Sequence, residues 1–478
     1  MDTASLKFVL FGLAVAVVSN LSRSRVWRSV VLFVASLLFI GLIDCNPLSL
    51  IPLAGFLLAG YACLRLLQNG WSRFLAWIVV AIIFAYIWLK KYTFLPEGSF
   101  LHFPYFTLGL SYIFFRVLHV LIDTGEGGEK QPIGLGAYLL YTLNFTTFVS
   151  GPIQRYDEFA RDQFAPDPIQ LGPRTVGLQL ERIIRGFFKV NVLAMFFNAL
   201  RVESLAQVAQ SAATASKLLP ALELAVVYPL FLYCNFSGYI DIVIAIARLM
   251  RVRLPENFDR PFSACSVLDF WNQWHITLSN WLKTYVYNPL MIALMRRFPS
   301  PSVAPALGVF AFFVTFFLIG VWHGRTSEFL MFGLLTGGGI SVNKLWQIWL
   351  TSALGRKRYK ALAQDSAYRT FARGLNFVWF SLTLFWFWSD WKTIGIVFGA
   401  LSGAQWAAVW LAAWIAMAFV FAFWEWLRSL LLSIRTAEGP ALTSRYALTV
   451  YASALGLTAL VITVLLNQPA PDIVYKAF

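Results

Sequence analysis

The sequence predicts an all-α polytopic membrane protein, on three observations. Of the 478 residues, 59% are hydrophobic and 13% are charged, against roughly 25% charged in an ordinary soluble domain. Apolar runs recur along the whole chain, many of them close to the ~20 residues that cross the hydrocarbon layer. The basic residues between these runs fall mainly on alternate sides. A soluble protein with so little charge could not cover its surface, and the 81 aromatic residues (44 Phe, 19 Trp, 18 Tyr) argue the same way. Composition also excludes a disordered chain, collagen and a disulfide-stapled secreted fold. The net charge of +15, from 38 Lys and Arg against 23 Asp and Glu, would suggest nucleic acid in a soluble protein. Here, cytoplasmic loops facing anionic lipid account for it, and no nucleic-acid partner is expected. Cys45, Cys63, Cys234 and Cys265 are widely spaced and contain no CxxC, so they read as small apolar fillers.

In chain order the spans are expected near 6–20, 29–44, 47–66, 71–89, 100–122, 186–200, 218–247, 303–322, 328–350, 375–391, 404–427 and 446–466. The first is short, and Lys7 ahead of it would suit a signal peptide. With no A-x-A site and a second apolar run directly behind, a retained span is expected. Placing the Arg23/Arg25/Arg28 loop in the cytoplasm puts 28 of the 38 basic residues inside and seven outside, with Lys7, Arg116 and Lys344 unassigned. That asymmetry implies an exterior N-terminus. Two stretches fit no simple span. Residues 133–189 contain Gly151, Pro152, Pro166, Pro168 and Pro173, and residues 251–300 contain Pro255, Pro261, Pro289 and Pro299 around an aromatic-rich centre. Both are too apolar for solvated loops and read as interfacial helices and re-entrant pieces, which at membrane depth must be buried in protein or face water. No internal repeat is visible, so an inverted-repeat transporter is not supported.

Four histidines are present: His102, His119, His275 and His323. Imidazole is the side chain best suited to accept a proton near neutral pH, and an ionisable residue beside a span is a functional hypothesis by default. His102 and His119 read as interfacial histidines bonded to a neighbour. His323, in Trp322-His323-Gly324 after an apolar run, is open between that reading and catalysis by position alone. Asn144 precedes the Gly151-Pro152 break and Arg155. Asn235, Ser237 and Asp241 form a polar group inside an apolar run, where Asp241 needs a partner or water. Helix breaks, capping and interhelical hydrogen bonds are the structural alternatives for these stretches. No GxxxxGK[ST], HExxH or G-x-S-x-G occurs, and no Cys/His cluster suits a metal.

Six stretches in order carry a family resemblance. They are Ser111-Tyr112 to Asp123, Ser150-Gly-Pro-Ile-Gln-Arg155-Tyr156, Phe236-Ser-Gly-Tyr-Ile-Asp241, Leu254-Pro-Glu-Asn-Phe-Asp-Arg-Pro-Phe262, Asp269-Phe-Trp to Trp274-His275, and Trp322-His323-Gly324. Together they resemble the membrane-bound O-acyltransferase family in its bacterial branch, which includes alginate O-acetyltransferases and teichoic-acid D-alanyl transfer proteins. Asn272-Gln273 departs from the two arginines usual in the alginate type, whereas Leu254-Pro-Glu-Asn257 and Tyr285-Val-Tyr-Asn-Pro289 look alginate-like.

The resemblance implies about 11–12 transmembrane helices in a ring around a thinned centre with re-entrant and interfacial helices. It implies one integral membrane domain over 1–478, with peripheral helices in 1–100, a catalytic core in 101–350 and C-terminal helices in 351–478. It implies transfer of an acyl group, acetyl foremost and D-alanyl as the alternative, from a cytoplasmic acetyl-CoA or acyl carrier protein. The acceptor would be a hydroxyl of an exported glycan or an acyl-relay protein outside. His323 takes the catalytic role and His275 that of the second family histidine, in a multi-pass protein of the bacterial inner membrane. The thioester is a co-substrate, and no bound cofactor is expected. The chemistry agrees: a thioester is already activated, so a base for the hydroxyl and donors for the oxyanion are what remain to be supplied. Trp322 and Asn280 are candidate donors, and Trp274, Asp241, Asn235, Asn144 and Arg155 are expected along the substrate path. A transporter or flippase, or a non-catalytic assembly subunit, are the competing readings.

Overall fold

The computed structural model describes residues 5–128, 131–436, 439–440 and 444–466. Among the described residues, the regular structure is helical apart from an antiparallel pair of two-residue strands, Arg435–Thr436 and Gly439–Pro440. Among the described residues, seven segments are long and apolar enough to cross a membrane: Arg25–Ile43, Pro47–Gln68, Ser72–Leu89, Pro173–Gln210, Thr214–Leu249, Ala304–His323 and Gly403–Ser433. The protein is a multi-pass membrane protein. By Cα packing the chain divides into two compact units. One comprises Met1–Val190, Phe236–Glu256 and Leu466–Phe478, and the other comprises Asn191–Asn235 and Asn257–Leu465.

The first unit begins with helices α1 (Leu6–Ser19), α2 (Arg25–Ile43), α3 (Ile51–Gln68), α4 (Leu75–Leu89) and α5 (Leu110–Gly125). The apolar run expected to span from residue 100 becomes helical only at Leu110, because Pro104 lies in the run and cannot donate to a helical ladder. α5 is buried on all sides from Leu110 to Leu121, so its polar stripe of Tyr112, Arg116 and His119 must find partners inside the protein. Arg116 within it donates to the Tyr141 and Thr142 carbonyls at 3.2 and 2.9 Å, and also to the Thr147 carbonyl. α6 (Leu135–Thr142), α7 (Tyr156–Gln163) and α8 (Pro173–Phe188) follow, with Pro173 in the first turn of α8 where its missing N–H costs nothing. The proline-rich 133–189 stretch is thus three helices rather than a loop. Arg28 of α2 is buried and donates to the Asp162 and Ala165 carbonyls at 3.2 and 2.7 Å, tying the α7 end to α2.

A π-helical segment, Lys189–Ala194, joins α8 to α9 (Met195–Gln210). The long helix α10 (Thr214–Leu249) contributes residues to both units. The second unit continues through α11 (Val267–Trp271), α12 (Ile276–Leu282), α13 (Asn288–Arg297), α14 (Ala304–His323), α15 (Ser327–Leu362), α16 (Ser366–Trp388), α17 (Trp391–Gly399), α18 (Gly403–Ser433) and α19 (Arg445–Leu466). Its apolar core joins Phe377, Phe385, Trp406, Val409, Ala413 and Phe421 from α16 and α18 with Leu224 and Ala225. α14 and α15 form a hairpin in which Gly320 backs onto Gly333, the close approach that small residues permit between membrane helices.

α15 and α16 are not among the seven candidate spans, although both were expected to cross. Asn343 and Lys344 interrupt α15, and Arg369 and Arg373 open α16. α1 and α5 fall short in length, at 14 and 16 residues.

Candidate active site

The second unit holds both candidate histidines. His275 stands between α11 and α12 with φ +47° and ψ +51°, the left-handed region that non-glycine residues enter at a cost. The preceding loop imposes this conformation. The Asp259 N–H donates to the Gln273 carbonyl and the Ile276 N–H to the Asn257 carbonyl, both at 3.0 Å, with Phe258 and Trp274 bridged as antiparallel partners. Asn257, fully buried, also accepts from the Thr277 N–H at 3.0 Å and the Thr277 hydroxyl at 2.7 Å through Oδ1. The chain is therefore fixed on both sides of His275, and the Asn257-to-Phe262 stretch acts as a clamp on the histidine segment. Trp274 anchors the clamp among Phe258, Phe270 and Phe380, with ring centroids 5.1 to 5.5 Å away. His275 is 1% exposed, and burial pushes its imidazole down to about 3, so it is neutral around pH 7.

His323 closes α14 and is 2% exposed. Its ring lies 4.6 Å from Trp322, 5.1 Å from Phe387 and 5.9 Å from Phe332. His275, 48 positions earlier in sequence, is buried in the same unit. A Cβ on Gly324 would meet the Phe329 ring at 2.1 Å, so this glycine serves the packing of the α14–α15 turn.

A cleft with a volume of about 110 Å³ opens in the same unit, lined by Trp271, Asn272, Ser279, Lys283, Tyr287 and Thr315 among others. Ser279 is four residues beyond His275, and Ile319, also in the lining, is four before His323. On a helix, residues four apart are neighbours on one face. The cleft thus lies one turn from each histidine, with an apolar wall, four neutral polar side chains and one cation. Among the described residues, no group of three or more His, Cys, Asp or Glu is placed to hold a metal ion.

Residues 29–372 match the family model for membrane-bound O-acyltransferases. The chain belongs to this family. A teichoic acid D-alanyltransferase of Streptococcus thermophilus is 33% identical over 240 residues, 50% of this chain and 57% of that protein. A peptidoglycan O-acetyltransferase of Helicobacter pylori is 32% identical over 210 residues, covering 44% and 37% of the two chains. A probable alginate O-acetylase AlgI of Pseudomonas aeruginosa is 28% identical over 237 residues, covering 50% and 42%. The chain thus spans less than two thirds of the length of each of these three relatives. Membrane-bound O-acyltransferases of both D-alanyl and O-acetyl type are among its relatives.

The structure gathers His275, His323, Trp274 and Trp322 in one unit, all buried. Asn235 is fully buried in that unit, whereas Asn280 is exposed on α12. Asp241, Asn144 and Arg155 belong to the other unit. Asp241 is held by Lys189 at 2.8 Å, Arg182 at 2.9 Å and Arg185 at 3.6 Å, and Arg182 in turn grips Glu256 at 2.7 and 2.5 Å. Its charge is compensated by α8 and the π segment. Asn144 accepts from the Thr146 N–H and hydroxyl at 3.2 and 2.9 Å, ordering the turn after α6. The half-exposed Arg155 pairs with Asp123 at 2.8 Å. Lys283, Tyr287 and Thr315 escaped the sequence reading. Thr315 and His323, at i and i+8 on α14, carried a signal: two polar side chains on one face of an apolar helix.

Proposed function

We propose that this chain transfers an acyl group, acetyl foremost, from a cytoplasmic thioester to a hydroxyl outside the cell. The donor is an acyl-CoA or acyl carrier protein. The acceptor is an envelope or exopolysaccharide glycan, or a relay protein that carries the group to one, and the bilayer is the inner membrane of a bacterium. The observation that carries this reading is the burial of His275 and His323 in one unit, each four positions from a residue that lines a mostly apolar cleft. Neutral imidazole at His323 would take the acceptor's proton as its oxygen attacks the thioester carbonyl, a step typically accelerated ~10²–10⁴-fold by a positioned base; the C–S bond then breaks, and the departing thiolate takes the proton back from His323 and leaves as the donor's free thiol. Trp322, adjacent to His323, is the nearer of the proposed oxyanion donors, with Asn280 on the exposed side of α12. His275 and Trp274 would position the donor, while Asn144, Arg155, Asn235 and Asp241 belong to the proposed substrate path.

The whole of 1–478 would act as one acyltransferase module, with catalysis in 101–350 and an exterior N-terminus. The cleft lining contains one cation and no carboxylate, which suits a neutral acetyl group better than the ammonium of a D-alanyl group. Mass spectrometry of envelope glycans from cells with and without the gene tests the proposal. Loss of O-acetyl groups is expected. An unchanged glycan and an unchanged relay-protein acyl load would contradict it, and loss of D-alanyl alone would overturn the choice of acyl group.

A further inference from the structure

We infer that the α15–α16 corner is a binding site for anionic phospholipid headgroups. α15 is broken at Gly355, where φ is +77° and ψ +152°, a conformation that side chains disfavour. Before the break the helix exposes Leu345, Trp346, Trp349 and Leu354, and the two indoles stack 5.0 Å apart. After it come Arg356, Lys357, Arg358 and Lys360, all exposed. Arg369, also exposed, follows in the first turn of α16. None of these five cations has a salt-bridge partner among the described residues. The nearby carboxylates are engaged elsewhere: Asp365 caps α16 by accepting from the Tyr368 N–H at 2.9 Å, and Asp269 accepts from the Ser266 hydroxyl at 2.7 Å.

The order of these features specifies the ligand. Tryptophan is enriched at the membrane–water boundary. Trp349 stands six positions before the break at Gly355, a rise of roughly 9 Å along the helix, and the cations begin at the next residue. That places the cations at headgroup depth when the indoles sit at the interface. Phosphate oxygens of anionic lipids then satisfy charges that the protein leaves unpaired. An acidic protein would need the cations alone, whereas the continuous aromatic-to-basic surface suits a lipid that is apolar at one end and anionic at the other.

The full-length protein should be reconstituted in nanodiscs containing phosphatidylglycerol and phosphatidylcholine in equal parts. Lipids that stay bound after extraction are counted by native mass spectrometry. Wild type is expected to retain phosphatidylglycerol several-fold over phosphatidylcholine, with the preference falling as salt is raised and unaffected by millimolar inorganic phosphate. Replacing Arg356, Lys357, Arg358 and Lys360 by Gln should bring the ratio near unity. Lys357→Arg with Lys360→Arg should keep it, and Arg23→Gln with Arg25→Gln should leave it unchanged. An unaltered preference in the quadruple Gln variant overturns the site. So does a lipid ratio near unity in wild type, including the case in which the cluster instead captures an acidic acyl carrier protein.

Discussion

Single residues divide into those the interior needs for charge balance and those it positions for chemistry. Asp241 belongs to the first group. Three cations surround it within 3.6 Å, so neutralising it strands positive charge in a buried setting. Asp241→Asn should destabilise the protein by about 3–5 kcal/mol, the cost of breaking a buried ion pair from one side. Arg185→Gln removes the longest and most exposed of these contacts and should cost under ~1 kcal/mol. Thermal unfolding in detergent separates the two. Equal shifts would show that the network is not organised around Asp241. The sequence made it clear that Asp241 needed a partner. It could not show that the partners come from α8 and the following turn, about 50 to 60 positions earlier, because one chain carries no record of which helices meet.

At the scale of elements, the clamp around His275 explains why a polar, proline-rich stretch sits in an apolar chain. Asn257 receives two hydrogen bonds from Thr277 and its carbonyl a third from Ile276. Asn257→Ala leaves a buried N–H and hydroxyl unsatisfied, which costs about 1–3 kcal/mol. It should also release His275 from its left-handed conformation, so activity per folded molecule should fall. Asn257→Asp keeps the acceptor and should recover part of that activity at matched abundance. If Asn257→Ala lowers the melting temperature yet leaves the specific activity untouched, the clamp is structural only. The motif residues were legible one by one. The bridge that holds Phe258 to Trp274 was not, since it forms inside a helical protein where strand periodicity gives no signal. The same limit applies to helix ends: the run from residue 100 reads as continuous, and only its interior proline foretells that α5 begins at Leu110.

For the whole molecule, apolar composition and the charge asymmetry made the polytopic helical class legible, and the helices follow the apolar runs closely. The number that cross the membrane was less legible, because α15 and α16 mix apolar faces with Lys344, Arg369 and Arg373. The orientation read from the charges can be tested directly. In a background with the native cysteines removed, Lys357→Cys should resist an impermeant maleimide in intact cells and react in inverted vesicles. Labelling in intact cells would reverse the topology and place the proposed donor side outside. The central claim is that His323 is the base for acyl transfer. It is tested by comparing His323→Asn with wild type at matched membrane abundance, measuring acyl groups delivered to glycan or relay protein. Asparagine keeps a polar side chain of similar size but cannot act as the base, so transfer should fall at least ~10²-fold with the protein still folded and inserted. Near-normal transfer by His323→Asn would contradict the account and favour a transporter or an assembly subunit.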